Sequence, residues 1–289
     1  MKLRIFSMLV LVLAFSLLAV SARADSIDLG PASSFGLIGG SISNTGTSVV
    51  TGNVGATSTI TGFNTSAGTA TGFVCTPTSG APCTSGNDTA VTTAYNAIFN
   101  PGGAFSTAEG LTHTGSFTTA TSQTFSGNTV YASSGDISTT TGTSLTFDAG
   151  GDPTALFIIQ IDGAFIVNGA MTFTLLNEAQ ADNIFWIVEN AATISVGSSG
   201  PITFDGDILA GTSFTMSAAS GGSGVLAGTI NGCVFAETAN TLAGETNVGG
   251  CAATGAGGTP PAVPEPGSMA LLGSGLFALA GVVRRKLRK

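Results

Sequence analysis

The feature that most restricts what this chain can fold into is a repeat of short apolar runs, each closed by a turn, between Leu145 and Ile230. Phe157-Ile-Ile-Gln-Ile-Asp-Gly-Ala-Phe-Ile-Val-Asn-Gly169 aligns without a gap on Phe185-Trp-Ile-Val-Glu-Asn-Ala-Ala-Thr-Ile-Ser-Val-Gly197. Ile208-Leu-Ala-Gly-Thr-Ser-Phe-Thr-Met216 repeats the pattern with one residue dropped, and Val225-Leu-Ala-Gly-Thr-Ile230 is a shorter echo. Runs of this length, rich in β-branched and aromatic residues and bounded by Gly and Asn, read as strands. None of them can bury an apolar face alone. Stacked as coils of a solenoid, each gains neighbours above and below. The spacing between repeats drifts, so an irregular all-β solenoid (β-helix) is expected.

Charge decides which partners such a body can take. All eight Lys and Arg lie at the ends: Lys2, Arg4 and Arg23, then Arg284, Arg285, Lys286, Arg288 and Lys289. Between Asp25 and Val283 there is no Lys or Arg, whereas all sixteen carboxylates lie there. A body without cations cannot neutralise phosphates, which excludes nucleic acid as a partner and argues against nucleotides. Its cohesion must come from apolar burial and backbone ladders.

The two ends read as addresses. Met1–Arg4 is a basic leader, Ile5 to Val20 is apolar and Ala22-Arg-Ala24 is a small-x-small cleavage site, so residues 1–24 form a secretory signal. At the other end Val263-Pro264-Glu265-Pro266-Gly267 precedes a short apolar segment, Ser268 to Val283, and the basic tail Arg284 to Lys289. Sixteen helical residues span only ~24 Å, less than the ~30 Å hydrocarbon core of a bilayer, and the basic tail favours the cytoplasmic side. This three-part order over 263–289 resembles the PEP-CTERM sorting signal. The resemblance implies a Gram-negative source that secretes polysaccharide, transient anchoring in the inner membrane, and removal of the segment by a transpeptidase-like enzyme. Residues 251–262, dominated by Gly, Ala, Thr and Pro, read as a flexible linker.

Within the body, residues 25–250, one helix is legible at about 88–99. Asn87 or Asp88 can cap it, Val91, Ala94, Tyr95 and Ile98 recur at helical spacing, and Asn100-Pro-Gly-Gly103 stops it. Three turns with a narrow apolar stripe are unstable alone, so it must dock on the solenoid. Leu29 to Gly55 with Ile60-Thr-Gly-Phe63, Gly151 to Ile161, Asn177 to Val188 and Phe204-Asp-Gly-Asp-Ile-Leu-Ala210 are similar, in order, to blocks of the microbial ice-binding (antifreeze) β-solenoid family. That resemblance implies a β-helix of roughly triangular section with one α-helix packed alongside.

Cys75 and Cys83 flank one Thr/Ser/Gly-rich segment, and Cys233 and Cys251 flank another. Four cysteines allow three pairings; the local pairs, Cys75–Cys83 and Cys233–Cys251, close loops without crossing the body, and an exported chain permits them. Zinc is the rival reading, weakened by a single histidine and no CxxC pair, and no cofactor motif is present. His113 stands outside any nucleophile motif. Asp205 and Asp207, at i and i+2, would share one strand face and could serve a glycan-cleaving enzyme, though Asp-Gly-Asp equally suits a turn between coils. No catalytic site is expected.

The remaining signal is a hydroxyl at alternate positions. With Phe173 and Leu175 inward, Thr172 and Thr174 face out; Ile194 and Val196 put Thr193 and Ser195 out; Phe204 and Met216 do the same for Thr203 and Thr215. Threonine covers solvent faces of strands in any β protein. Taken together, a neutral face of hydroxyls and methyls repeated at the ~4.8 Å strand spacing could instead order water as ice does, and ice is the ligand that the family resemblance implies. The Thr-Ala/Gly-x-Thr/Asn pattern linked with that family's ice faces occurs at Thr61-Gly-Phe-Asn64, at Thr238-Ala-Asn-Thr241 and, within the helix, at Thr89-Ala-Val-Thr92. The alternative partner is the extracellular polysaccharide matrix, as a structural or adhesive protein. The charge distribution and the two end signals carry a direct test: mass spectrometry of the exported protein should find a chain that starts at Asp25, ends near Pro264-Glu265-Pro266 and yields no internal tryptic cut. Recovery of Arg284 to Lys289 on the mature surface form would overturn the sorting reading.

Overall fold

The computed structural model describes residues 27–251, apart from 64–67, 77–82, 84–85, 119–121, 198–199 and 219–224. The signal at 1–24, the linker beyond Cys251 and the sorting segment at 263–289 lie outside the described residues. After a 3-10 turn at Gly30–Ser34 come β1 (Phe35–Asn44), β2 (Val49–Val50), β3 (Asn53–Thr61), β4 (Thr69–Ala70) and β5 (Val74–Cys75). Helices α1 (Asn87–Phe99) and α2 (Ala104–Glu109) follow. The remaining coils are β6 and β7 (Gly115–Ser116, Gln123–Ser126), β8 to β10 (Thr129–Ser133, Ile137–Thr139, Ser144–Asp148) and β11 to β13 (Phe157–Ile161, Phe165–Asn168, Thr172–Leu176). Then come β14 to β16 (Ile184–Val188, Ala192–Ser195, Ile202–Asp205), β17 to β19 (Asp207–Ala210, Ser213–Ser217, Leu226–Asn231), and finally β20 and β21 (Val234–Ala243, Glu245–Val248).

The strands stack in parallel into three walls. The first runs β6-β8-β11-β14-β17 and continues through the leading halves of β20, β1 and β3 to β5; the second runs β9-β12-β15-β18 and through the trailing halves of the same three strands. The third holds β7-β10-β13 and β16-β19-β21-β2-β4. Where β1 turns from first wall to second, Gly40 is required: a Cβ there would lie 2.5 Å from the Thr238 carbonyl oxygen of the next coil.

Chain order and spatial order differ. The coils climb from Gly115 to Val248, and the coil above the last is the first: β20 pairs with β1, Leu37 beside Val234 and Ser43 beside Thr241. Parallel strands cannot be joined by a hairpin, so the chain needs a crossover from the top of the stack back to its bottom. The two helices make that crossover along the first wall. Their apolar faces, Val91, Ala94, Ile98, Ala104 and Ala108, cover Ile38, Ile158, Phe185, Ile187, Leu209 and Phe235, which point out of that wall. Strands buried on both faces are continuous apolar runs for this reason.

The expected helix packs alongside the solenoid, and a short second one extends it. Asn100-Pro-Gly-Gly103 ends α1, but the chain enters a second, six-residue helix at once, with extended Gly103 as its N-cap. At the start of α1 the N-cap is Gly86 (φ +100°), and the Asp88 carboxylate accepts from the Thr89 N–H at 2.8 Å. Gln160, 5% exposed, reaches from the first wall to the end of α2 and donates to the carbonyls of Ala108, Glu109 and Leu111 at 2.8, 3.1 and 2.9 Å. The Ala108 carbonyl also accepts the Leu111 N–H at 3.4 Å, so side chain and backbone together close the helix end.

Register also departs from the self-alignment. Phe157 pairs with Ile184 rather than Phe185, and Phe165 with Ala192 rather than Thr193. A one-residue slip exchanges the two faces of a strand. It puts Ile184, Trp186 and Val188 in the lumen beside Phe157, Ile159 and Ile161, and turns Phe185 toward the helices. Both faces are apolar here, so hydrophobicity could not choose between the registers. The echo at Val225–Ile230 belongs to a different wall from Ile208–Ala210: β19 stacks on β16.

Aromatic rings fill the lumen. Phe165 stacks on Trp186 at 5.1 Å and Phe125 on Phe147 at 4.9 Å, while Phe147 meets Phe157 edge-on at 5.2 Å. Phe147 is fully buried among four such rings. Phe147→Ala should therefore destabilise the protein by about 3–5 kcal/mol in denaturant unfolding, whereas Thr172→Ala, on the exposed side of β13, should stay within ~0.5 kcal/mol.

Candidate functional site

The six outward hydroxyl positions fall on three separate sheets. Thr172 and Thr174 belong to the three-stranded part of the third wall, where Thr174 continues the row Thr124–Thr146. Thr203 lies in its five-stranded part, beside Thr229. Thr193, Ser195 and Thr215 lie together on the second wall. Alternation separates inside from outside along one strand, but which wall a strand joins depends on where the corners fall. Leu175, expected inward, is 37% exposed. It is in register with buried Phe147, but β13 is the edge of its sheet and no paired strand covers its other side.

The second wall carries an uninterrupted row. Ser138, Ile166, Thr193, Thr215, Thr241, Ser43 and Thr61 are aligned rung by rung across seven strands. A row to one side reads Asn168, Ser195, Ser217 and Ala243, and one to the other side Ser213, Ala239, Ser41 and Thr59. Between these rows Ile194, Phe214, Met216 and Leu242 are fully buried in the lumen. Ser195 and Ser217 hydroxyls lie 3.2 Å apart, and Asn168 Nδ2 donates to Ser138 Oγ at 3.3 Å. None of these outward residues is charged. Carboxylates lie at the corners of the second wall: Glu245 opens β21 just beyond Ala243, and toward the first wall burial, then Glu189 and Asp162, raise the pKa of Glu109.

Eight hydroxyl residues of these rows, Ser138, Thr241, Ser43, Thr61, Ser41, Thr59, Ser213 and Ser217, were missed as candidates. The Thr238-Ala-Asn-Thr241 and Thr61-Gly-Phe-Asn64 patterns were the signal for two of them. Nothing in the chain announces that Thr241 and Ser43 are neighbours, because their contact is the seam between last coil and first.

Asp205 and Asp207 do not share a strand face. Asp205 closes β16, Gly206 turns the corner at φ +114°, and Asp207 opens β17. Asp205 accepts from Asn231 Nδ2 at 2.7 Å and Asp207 from the Cys233 N–H at 2.8 Å, so each is tied to the next coil. Burial pushes the Asp207 carboxyl up to about 8 against the Cys233 N–H, which lowers it, with Asp182 raising it further. Asp205 is raised by burial, pulled down by Asn231, and raised again by Asp182. His113 is exposed ahead of β6. Two sulfurs approach Asp207, but Cys233 is bonded to Cys251 (Cα–Cα 4.6 Å), so neither is a thiolate open to a metal. Cys75 is bonded to Cys83 (Cα–Cα 5.0 Å) at the far end of the stack.

A sequence model described as Ice-binding-like matches residues 37–248, nearly the whole stack of coils. The chain belongs to the Ice-binding-like family. It is 32% identical, over 99% of its length and 97% of the relative's, to an ice-binding protein of Nostoc sp. (strain HG1). Its fold is similar to that of a solved ice-binding protein from the Antarctic ascomycete Antarctomyces psychrotrophicus, with a TM-score of 0.61, 28% identity, and coverage of 77% of this chain and 98% of that one. It is also similar to an ice binding protein from an Antarctic biological consortium, at a TM-score of 0.60 and 24% identity over 78% and 93% of the two chains, a likeness of fold. This Ice-binding-like chain carries at residues 262–286 a match to the PEP-CTERM protein-sorting motif. Among the described residues no helix is long and apolar enough to cross a membrane, and Ser268 to Val283 lies outside them.

Proposed function

We propose that this protein adsorbs to ice through its second wall, outside the cell. The observation that carries the reading is the uncharged, seven-strand register row from Ser138 to Thr61 with Thr193 and Thr215 at its centre. Parallel stacking repeats its hydroxyls and methyls at ~4.8 Å along the solenoid. Hydroxyls can hydrogen-bond the water they order, and the methyls beside them do not compete. Ionic groups would instead hold water in shells of their own, and this wall has none. The relatives named for binding ice support the same ligand. Of the six residues singled out in the sequence, Thr193, Ser195 and Thr215 belong to this surface, joined by Thr241, Ser43 and Thr61. Thr172, Thr174 and Thr203 lie on the third wall.

The sorting motif supports display at the cell surface. In this reading the Pro264-Glu265-Pro266 motif is recognised by a transpeptidase-like enzyme while Ser268 to Val283 anchors the chain transiently in the inner membrane of a Gram-negative cell.

The test is ice growth. The protein should shape ice crystals and hold their growth temperature below the melting point. Thr215→Lys, which plants a hydrated charge at the centre of the wall, should remove most of that gap while stability changes within ~0.5 kcal/mol. Thr146→Lys, on the third wall, should leave it intact. The opposite ranking would assign binding to the third wall. Unmodified hexagonal crystals, together with salt-insensitive retention on exopolysaccharide, would reject ice in favour of the matrix.

A further inference from the structure

Among the described residues Asp207 is the most enclosed carboxyl, 2% exposed, and ice adsorption gives it no role. It opens β17 beside Phe185 of β14, on the outer side of the first wall. Its Oδ1 accepts the Cys233 N–H at 2.8 Å. A carboxylate oxygen of Asp207 and the sulfurs of Cys233 and Cys251 all lie within 4.8 Å of one another. Among the described residues the other disulfide, Cys75–Cys83, has no carboxyl grouped with it in this way.

The two sulfurs are not equivalent. Cys233 is fully buried in the apolar cluster that holds Phe185, Leu209 and Phe235, whereas Cys251 keeps part of its surface in solvent. Disulfides open by attack of a thiolate on the sulfur it can reach. Cys251 is therefore the sulfur attacked, and Cys233 is the leaving group. It leaves as a thiolate inside an apolar cluster, where an unpaired charge is costly. A proton must reach it there, and the Asp207 carboxyl is the acid at hand. Burial pushes that carboxyl up to about 8 against the Cys233 N–H, with Asp182 on the 3-10 turn Ala181–Asn183 raising it further, so it keeps its proton at neutral pH. The strands on either side bring Phe185 and Cys233 to its level, neither of them charged, and Asp205, across Gly206, is held by Asn231.

We propose that Asp207 is the proton carrier for opening and closing the Cys233–Cys251 disulfide. In opening, a thiolate of a dithiol reductant bonds to Cys251 Sγ. The bond between the two cysteine sulfurs breaks with its electron pair on Cys233, and the Asp207 carboxyl gives that sulfur its proton. The reductant's second thiolate then attacks its own bound sulfur, so that the reductant leaves as a cyclic disulfide and Cys251 takes a proton from water. Closing runs in reverse with a small disulfide as oxidant. Once Cys251 is joined to it, the Asp207 carboxylate takes the Cys233 proton, and the new thiolate attacks Cys251 Sγ and expels the oxidant's thiolate. The bond is placed to matter for the fold: Cys251 Sγ lies 3.4 Å from the Phe35 carbonyl oxygen of β1, so it clasps the last coil where that coil meets the first. No part of this rests on the ice reading, and either can fail alone.

The pH profile of opening is the test. The purified exported protein is treated with dithiothreitol, quenched in acid, alkylated and cut with pepsin, so that mass spectrometry counts the two disulfides separately. Divided by the concentration of reductant thiolate, the Cys75–Cys83 rate should be level with pH. The Cys233–Cys251 rate should instead fall as pH rises through about 8, where Asp207 loses its proton. Asp207→Asn keeps an acceptor for the Cys233 N–H but has no proton to give. It should slow opening at least about tenfold on the acid side and abolish the fall. Asp182→Asn removes a charge that raises the Asp207 carboxyl, so it should move the fall to lower pH. That variant leaves the Cys233 contact in place and keeps the test open if Asp207→Asn does not fold. A level profile for Cys233–Cys251, a fall that Asp207→Asn retains, or one that Asp182→Asn leaves at the same pH would each overturn the proposal.

Discussion

The ladder between Phe35–Asn44 and Val234–Ala243 holds the two ends of the described chain together, and the rest of the fold depends on it. Without it the structure would be two short stacks, each exposing an unpaired strand edge, a template for aggregation. With it the coils from Gly115 to Val248 continue directly into those from Phe35 to Cys75. Three consequences follow. The chain must return along the flank, which places α1 and α2 there. The first wall must be apolar on both faces, since the helices need something to cover. The second wall becomes long enough to carry seven aligned strands, with the seam inside the surface proposed to meet ice, five strands on one side and two on the other.

A body free of cations shapes the rest. No ion pair can offset a buried carboxylate, so the structure relies on neutral donors: Asn231 for Asp205, the Cys233 N–H for Asp207, and Gln160 for the carbonyls at the end of α2. Where such donors suffice, the carboxylate locks a corner between coils. The same scarcity of charge leaves the second wall neutral.

The strands, the helix at Val91–Ile98 and the stacked architecture were legible because each depends on local periodicity: alternation for strands, three- and four-residue spacing for the helix, and recurrence for the coils. The in-or-out sense of Thr193, Thr215 and Thr203 was legible for the same reason. Leu175 was misjudged because its burial depends on a neighbouring coil that does not pair with it. The Phe157–Phe185 register was misjudged because both faces of those strands are apolar, so that either register satisfies the pattern.

The sequence by itself determined a β-solenoid body without Lys or Arg and a sorting motif near the C-terminus, since composition and periodicity are properties of the chain alone. Only the tertiary structure decided which strands share a wall, that the last coil seats on the first, and which hydroxyls therefore align. Those are contacts between residues up to about two hundred positions apart, such as Ser43 and Thr241. Their geometry is set by where the corners fall and by which coil stacks on which, and no local pattern encodes either.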